Sequence, residues 1–312
     1  MKQKILITGG AGYIGSVLSK DLIDKGYRVT VFDNFLYKQN SLLDLCYHSN
    51  LNIIIDDVRN VDSLKKQFDK HDIIIPLAAI VGAPACDNDQ VLSKQVNQIQ
   101  AENIAKWASP SQMVLFPVTN SGYGIGQEGI YCDENSPLNP ISHYGKTKVQ
   151  AEKALLDMGN AVTFRLATVF GASPRMRMDL LVNDFVYRAY KDKIIVLFES
   201  HFKRNYIHIR DLSLVFLHTI KNYSKMKGEA YNIGLSNANL SKIELCNKIK
   251  EQISNFQILE SDIGKDPDKR DYIVSNKKIE STGWQPRYSL EDGISELIKA
   301  YSYLTTNRFN NV

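Results

Sequence analysis

Short apolar runs rich in isoleucine, valine and leucine alternate along this chain with longer stretches whose apolar positions recur at helical spacing. Residues 5–8, 28–33, 52–56, 72–77, 112–118 and 162–167 read as strands. Residues 16–25, 62–68, 91–108 and 144–157 read as helices, the first closed by Gly26. This alternation predicts a parallel sheet covered by helices on both faces. Ligands of such sheets sit beyond the carboxyl ends of the strands. That gathers residues 9–15, Asp33, Asp57, Ala78, Thr119 and Ala167 around one crevice.

Beyond Gly171 the rhythm changes. Residues 180–192 read as a helix, 194–198 as a strand, 204–209 as an extended segment and 211–222 as a helix that rejoins the first domain. A further strand is predicted at 230–233, helices of a smaller C-terminal portion at 242–253 and 290–301, and fraying at 307–312. The expected division is a first domain over 1–172 plus about 211–234, and a mixed α/β second domain over about 173–210 and 235–312.

Composition narrows the function classes. The 312 residues suffice for one large domain or two modest ones. The net charge of +4 comes from basic and acidic residues interleaved throughout, so nucleic acid is not an expected partner. Cys46, Cys86, Cys132 and Cys246 are scattered without a C-x-x-C pair, and no histidine cluster offers a metal site. Reduced thiols in a cytoplasmic protein are the simplest reading. A first strand beginning almost at Met1 leaves no room for a signal peptide, and the longest apolar stretch, 73–86, contains Pro76 and Pro84 and is too short to span a bilayer.

The chemistry starts at Thr8-Gly9-Gly10-Ala11-Gly12-Tyr13-Ile14-Gly15, between the first strand and the first helix. Gly10, Gly12 and Gly15 fit one dinucleotide-binding spacing; Gly9, Gly12 and Gly15 fit another. Either lets backbone approach a pyrophosphate at a helix N-terminus. Asp33, at the end of the second strand, can accept hydrogen bonds from both hydroxyls of the adenosine ribose. It would repel a 2′-phosphate, so NAD is expected over NADP. The fold class is therefore a Rossmann-type doubly wound sheet.

Tyr144 and Lys148 are four residues apart and share a helix face. A free phenol titrates near pH ~10, but a neighbouring ammonium and an oxidised nicotinamide favour phenolate. Tyr144 can then take a hydroxyl proton as the carbon beneath is oxidised, while Lys148 also bonds the nicotinamide ribose. Thr119, directly after the fifth strand, can bond the same hydroxyl oxygen.

Gly9-x-x-Gly12-x-x-Gly15, Asp33, Asp57-Val58, Leu77-Ala78-Ala79, Asn97, Thr119 with Tyr123-Gly124, and Tyr144-x-x-x-Lys148 occur in family order. Over nearly its whole length the chain resembles the extended short-chain dehydrogenase/reductases that act on nucleotide sugars. The resemblance implies that Thr119, Tyr144 and Lys148 are catalytic. It implies that Gly9, Gly12, Tyr13, Ile14, Gly15, Asp33 and Asn34 hold NAD. Asp57 and Val58 would border its adenine, Leu77, Ala78, Ala79 and Ala167 would line it, and Asn97 would stand behind. The nucleotide diphosphate falls to Arg204 and Arg270 first, then Arg175, with Asn183 bonding a phosphate oxygen. Arginine suits a diphosphate because its fork donates two parallel bonds. Val81 and Gly82 would flank the sugar, with Asn120 and Ser121 beside Thr119. His208 is expected to be structural, His143 at most an indirect contact, and Asp211 a helix cap.

Sugar-nucleotide 4,6-dehydratases carry Asp-Glu after the catalytic threonine; Asn120 and Ser121 stand there instead, so dehydration is not expected. The loops 80–84, 120–126 and 173–179 are most similar to bacterial GDP-heptose 4-dehydrogenases of capsule biosynthesis. The activity so implied is NAD-dependent oxidation of C4 of a nucleotide sugar, GDP-D-glycero-α-D-manno-heptose foremost. A 4-epimerase or a 4-reductase would use the same residues, and a non-catalytic NAD-sensing regulator would lack the Tyr-x-x-x-Lys pair. The helices at 91–108 and 144–157 form a dimer bundle in relatives, so a homodimer is expected.

Overall fold

Ile5, Leu6, Ile7, Ile73, Ile74 and Ile75 are wholly buried, because the strands that carry them have both faces covered. A computed structural model describes residues 2–261 and 270–304. Seven parallel strands form its central sheet, in the order Ala230–Ile233, Ala161–Leu166, Met113–Pro117, Ile73–Pro76, Lys4–Thr8, Arg28–Asp33, Leu51–Ile55. This is the expected doubly wound α/β fold, with one large apolar cluster on one face and a smaller one on the other. Each isoleucine or leucine so enclosed contributes roughly 1.5–3 kcal/mol.

Helix Ile209–Met226 packs on helix Tyr13–Asp24, which returns the chain to the sheet for Ala230–Ile233. Smaller sheets follow. Lys203–His208 pairs in parallel with Thr168–Phe170 and antiparallel with Asn239–Ser241. Ile194–Phe198 pairs with Gln257–Ser261, and Tyr131–Cys132 with Ile273–Val274. The expected fraying at 307–312 lies outside the described residues.

Several local expectations are corrected. The helix at 91–108 is Gln90–Lys94 and Gln100–Trp107 joined by a wide π turn, Gln95–Ile99, that contains Asn97. The helix at 180–192 ends in the same way, Leu181–Tyr187 running into a π turn at Arg188–Asp192. Asp211 does not cap its helix. His208 holds that position, and the Asp211 carboxylate accepts the N–H groups of Arg287 and Tyr288 at 2.8 and 2.9 Å.

Candidate active site

All strands of the main sheet point their carboxyl ends the same way, and a crevice of about 1020 Å³ opens there. Its floor begins at the glycine turn. Gly9 has φ of +70°, and a Cβ on it would fall 2.5 Å from the Ala78 nitrogen. A Cβ on Gly15 would fall 2.4 Å from the Gly9 carbonyl oxygen, so both positions need glycine for the helix to seat on the turn. Gly12 is the N-cap of Tyr13–Asp24 and has no side chain to take the first-turn N–H groups, which leaves that helix end suited to an anion.

Beside this cradle the Asp33 carboxylate accepts the Ala11 N–H at 2.9 Å and the Phe35 N–H at 2.8 Å. Burial pushes its carboxyl above the usual range, against the pull of those two bonds. Asp57 takes a two-point bond from Arg59 and a third from Asn34 Nδ2 at 2.9 Å. The Arg59 bonds hold its carboxyl down at about 2, against the opposing effect of burial. Val58, Leu77, Ala78, Ala79, Ile14 and Ala167 line the same space. Tyr13 also lines it, although its hydroxyl is spent on the Gly171 carbonyl at 2.7 Å. A cradle that excludes Cβ atoms, a helix N-terminus and an acid at the next strand end fit NAD.

The second wall comes from the fifth strand and the helix after it. Ser142 caps that helix, accepting the Gly145 N–H at 3.1 Å, and so sets Tyr144 in the first turn of His143–Leu156 and Lys148 one turn on. Thr119, Tyr144 and Lys148 all line the crevice. Lys148 is 4% exposed, with Nζ 4.0 Å from the ring centroid of Phe116. Burial drives its amine down to about 7, opposed by the nearby Glu152 carboxylate. Glu152 is itself bonded to Arg165 at 3.1 Å and to the Thr163 hydroxyl at 2.8 Å, so a satisfied buried network stands beneath the lysine.

Arg175, Arg204 and Arg270 line the crevice too, as do Val81 and Gly82. Arg175 lies over the Tyr37 ring at 4.0 Å, and burial together with Arg177 lowers its pKa. Arg177 lines the crevice too, bonded to Asp179.

Four of the expected site residues do not line the crevice. Asn183 is fully buried: its Oδ1 accepts the Gly171 N–H at 3.0 Å, and its Nδ2 donates to the Arg177 carbonyl at 2.7 Å. That amide is committed to the protein's own backbone and holds the arginine loop. Asn97 grips both backbone groups of Ile80 at 2.9 Å, so it shapes the 80–82 loop without lining the crevice. Asn120 is 1% exposed, its amide oriented to donate to the Arg165 carbonyl and accept the Ala167 N–H. Ser121 stands behind Thr119 rather than on the wall, accepting a hydrogen bond from Thr119 at 2.9 Å.

The sequence reading missed Lys242. It lines the crevice at 5% exposed and donates to the Phe198 carbonyl at 2.7 Å. A lysine at the start of a helix carries no local signal that its ammonium turns inward to a carbonyl of a distant strand.

Among known proteins, the chain is similar to CDP-paratose 2-epimerase of Salmonella typhi, 25% identical across 95% of this chain and 98% of the relative. UDP-glucose 4-epimerase of Rhizobium leguminosarum bv. trifolii is 28% identical over 96% of each chain. The fold matches UDP-glucuronic acid 4-epimerase from Bacillus cereus, solved with UDP-glucuronic acid and NAD, at a TM-score of 0.85 and 23% identity over 96% of this chain and 99% of that one. It also matches dTDP-glucose 4,6-dehydratase from Bacillus anthracis, solved with NAD, at a TM-score of 0.82 and 21% identity over 99% and 98%. Residues 5–234, which carry the glycine cradle, Asp33 and the Tyr144–Lys148 helix, match the NAD dependent epimerase/dehydratase family, and the chain belongs to that family, whose cofactor is NAD.

Proposed function

We propose that this protein is an NAD-dependent nucleotide-sugar 4-dehydrogenase that oxidises C4 of GDP-D-glycero-α-D-manno-heptose to the 4-keto sugar. The setting would be capsular polysaccharide biosynthesis, in the cytoplasm, as a homodimer. The observation that carries the reading is that Thr119, Tyr144 and Lys148 line one crevice together with Gly9, Gly12, Gly15 and Asp33 and with Arg175, Arg204 and Arg270.

Bound NAD supplies the acceptor for the hydrogen and electron pair leaving C4. Tyr144, as phenolate, takes the C4 hydroxyl proton. Lys148, four residues on along the same helix face, holds the phenol acidic, and the phenolate in return favours the ammonium form of the lysine. Thr119 orients the sugar oxygen. Arg204 and Arg270, then Arg175, grip the diphosphate, which spends binding energy remote from C4 on holding C4 in place. Gly9, Gly12, Gly15, Asp33, Asp57 and Asn34 hold the cofactor. With Asn120 and Ser121 where dehydratases carry Asp-Glu, no carboxyl follows Thr119 to expel water.

The name of one relative, a UDP-glucose 4-epimerase, favours one second reading, a nucleotide-sugar 4-epimerase, which would use the same first step and then reverse it on the other face. Mass spectrometry of the sugar nucleotide after incubation with NAD separates the two. A product two hydrogens lighter, with matching NADH, supports oxidation; an isobaric product without NADH supports epimerisation.

A further inference from the structure

Behind Thr119 runs a hydrogen-bonded chain through Ser121, a residue to which the reading above gives no role. Thr119 Oγ1 accepts the Ser121 N–H at 3.1 Å and donates to Ser121 Oγ at 2.9 Å. Ser121 Oγ also accepts a hydrogen bond from Nη1 of Arg270. Ser121 is 3% exposed and Thr119 is 8% exposed, so the link is shielded from water. Arg270 is fixed at its base. The Asp271 carbonyl accepts the Gly126 N–H at 2.8 Å, and the Asp271 carboxylate accepts the Lys203 N–H at 2.8 Å. The arginine proposed for the diphosphate is thereby stapled both to the Thr119 loop and to the strand of Arg204.

We infer that Arg270, Ser121 and Thr119 form a relay that carries guanidinium polarisation to the sugar oxygen, with Ser121 as its positioning residue. The inference rests on the proposed C4 oxidation. As Tyr144 removes the proton, the sugar oxygen gains negative charge and then becomes a carbonyl acceptor, so it needs a donor. Thr119 supplies one when the two hydroxyl protons rotate, without movement of any heavy atom, to give Arg270 to Ser121, Ser121 to Thr119, and Thr119 to the sugar oxygen. A hydroxyl that accepts a charge-assisted bond is a stronger donor, so the guanidinium favours this direction. Donors already fixed against a developing oxyanion stabilise the transition state more than the ground state. In this chain Ser121 takes the second position after the threonine and serves the oxygen at C4.

The test is a double-mutant cycle with S121A and R270K, alone and together, reading kcat and KM for GDP-D-glycero-α-D-manno-heptose and the Kd of GDP. The relay predicts that S121A lowers kcat by ~10–100-fold with KM and the GDP Kd within about twofold. It also predicts that R270K, which lowers kcat when Ser121 is present, lowers it no further in S121A. If S121A melts far below the parent, S121C, which fills the space with a weak donor, is read in its place. A kcat for S121A within about twofold of the parent, or losses that simply multiply, overturns the relay. Absence of ketone from the parent enzyme overturns C4 oxidation itself and the relay with it; ketone from the parent with multiplying losses overturns the relay alone.

Discussion

The Lys148 ammonium sits 4.0 Å over the ring of Phe116, and burial holds its amine well below the ordinary lysine value even with that partner. The ring gives the cation a weak partner, while the apolar surroundings remove its water.

That burial has a pH signature. The folded-state pKa of about 7 lies below the ordinary lysine value of 10.5, so between these values the unfolded chain binds more protons than the folded one. Stability from this group therefore rises as pH climbs from about 7 toward 10.5, and the penalty is fully present below the lower value. Lys148→Met is expected to raise the Tm of the cofactor-free protein by about 3 °C at pH ~6, with the gain shrinking at alkaline pH, while turnover drops at least ~100-fold. Differential scanning calorimetry across pH, run beside turnover assays, checks both halves.

Tyr144→Phe keeps the ring and removes the acid–base group. A loss of about 10³-fold in kcat is expected, with NAD affinity within about threefold of the parent. Stopped-flow turnover and fluorescence titration of the cofactor check it; a variant that keeps its kcat would remove Tyr144 from the chemistry.

Asp33 is held by two backbone N–H groups at the crevice edge. Asp33→Ala is expected to raise the KM for NAD about tenfold and to lower that for NADP, because the carboxylate that repels a 2′-phosphate is gone. The ratio of the two kcat/KM values is the measurement.

Asn183 serves the backbone of Gly171 and Arg177 and not the ligand. Asn183→Ala should cost about 2–3 kcal/mol in urea unfolding, since it strands buried backbone groups. The KM for the nucleotide sugar should change by less than about threefold in the fraction that stays folded. A large KM change without loss of stability would restore the phosphate contact expected from sequence.

Asn183 also shows where sequence reading stops. The main strands and Gly9, Asp33, Tyr144 and Lys148 were legible because their signals are local: isoleucine-rich runs, a spaced glycine turn, a pair one helical turn apart. Strands Thr168–Phe170, Asn239–Ser241, Gln257–Ser261 and Ile273–Val274 were not, because they are short and exist only through pairing with distant segments. Buried polar side chains were the other blind spot. Nothing in the local sequence distinguishes an asparagine facing a phosphate from Asn183, Asn97 or Asn120 clamping backbone. Nor does it show that Asp211 reaches 76 residues along the chain to Arg287, or that Lys242 reaches 44 to Phe198.

In the proposed reaction the bond from C4 to its hydrogen breaks while Tyr144 holds the proton of the adjoining hydroxyl. NMR of GDP-D-glycero-α-D-manno-heptose deuterated at C4, after single turnover with NAD, is the decisive measurement. A C4 ketone with the deuterium recovered on the nicotinamide is expected; deuterium still on C4 of the released sugar, whatever its configuration, would rule the reaction out.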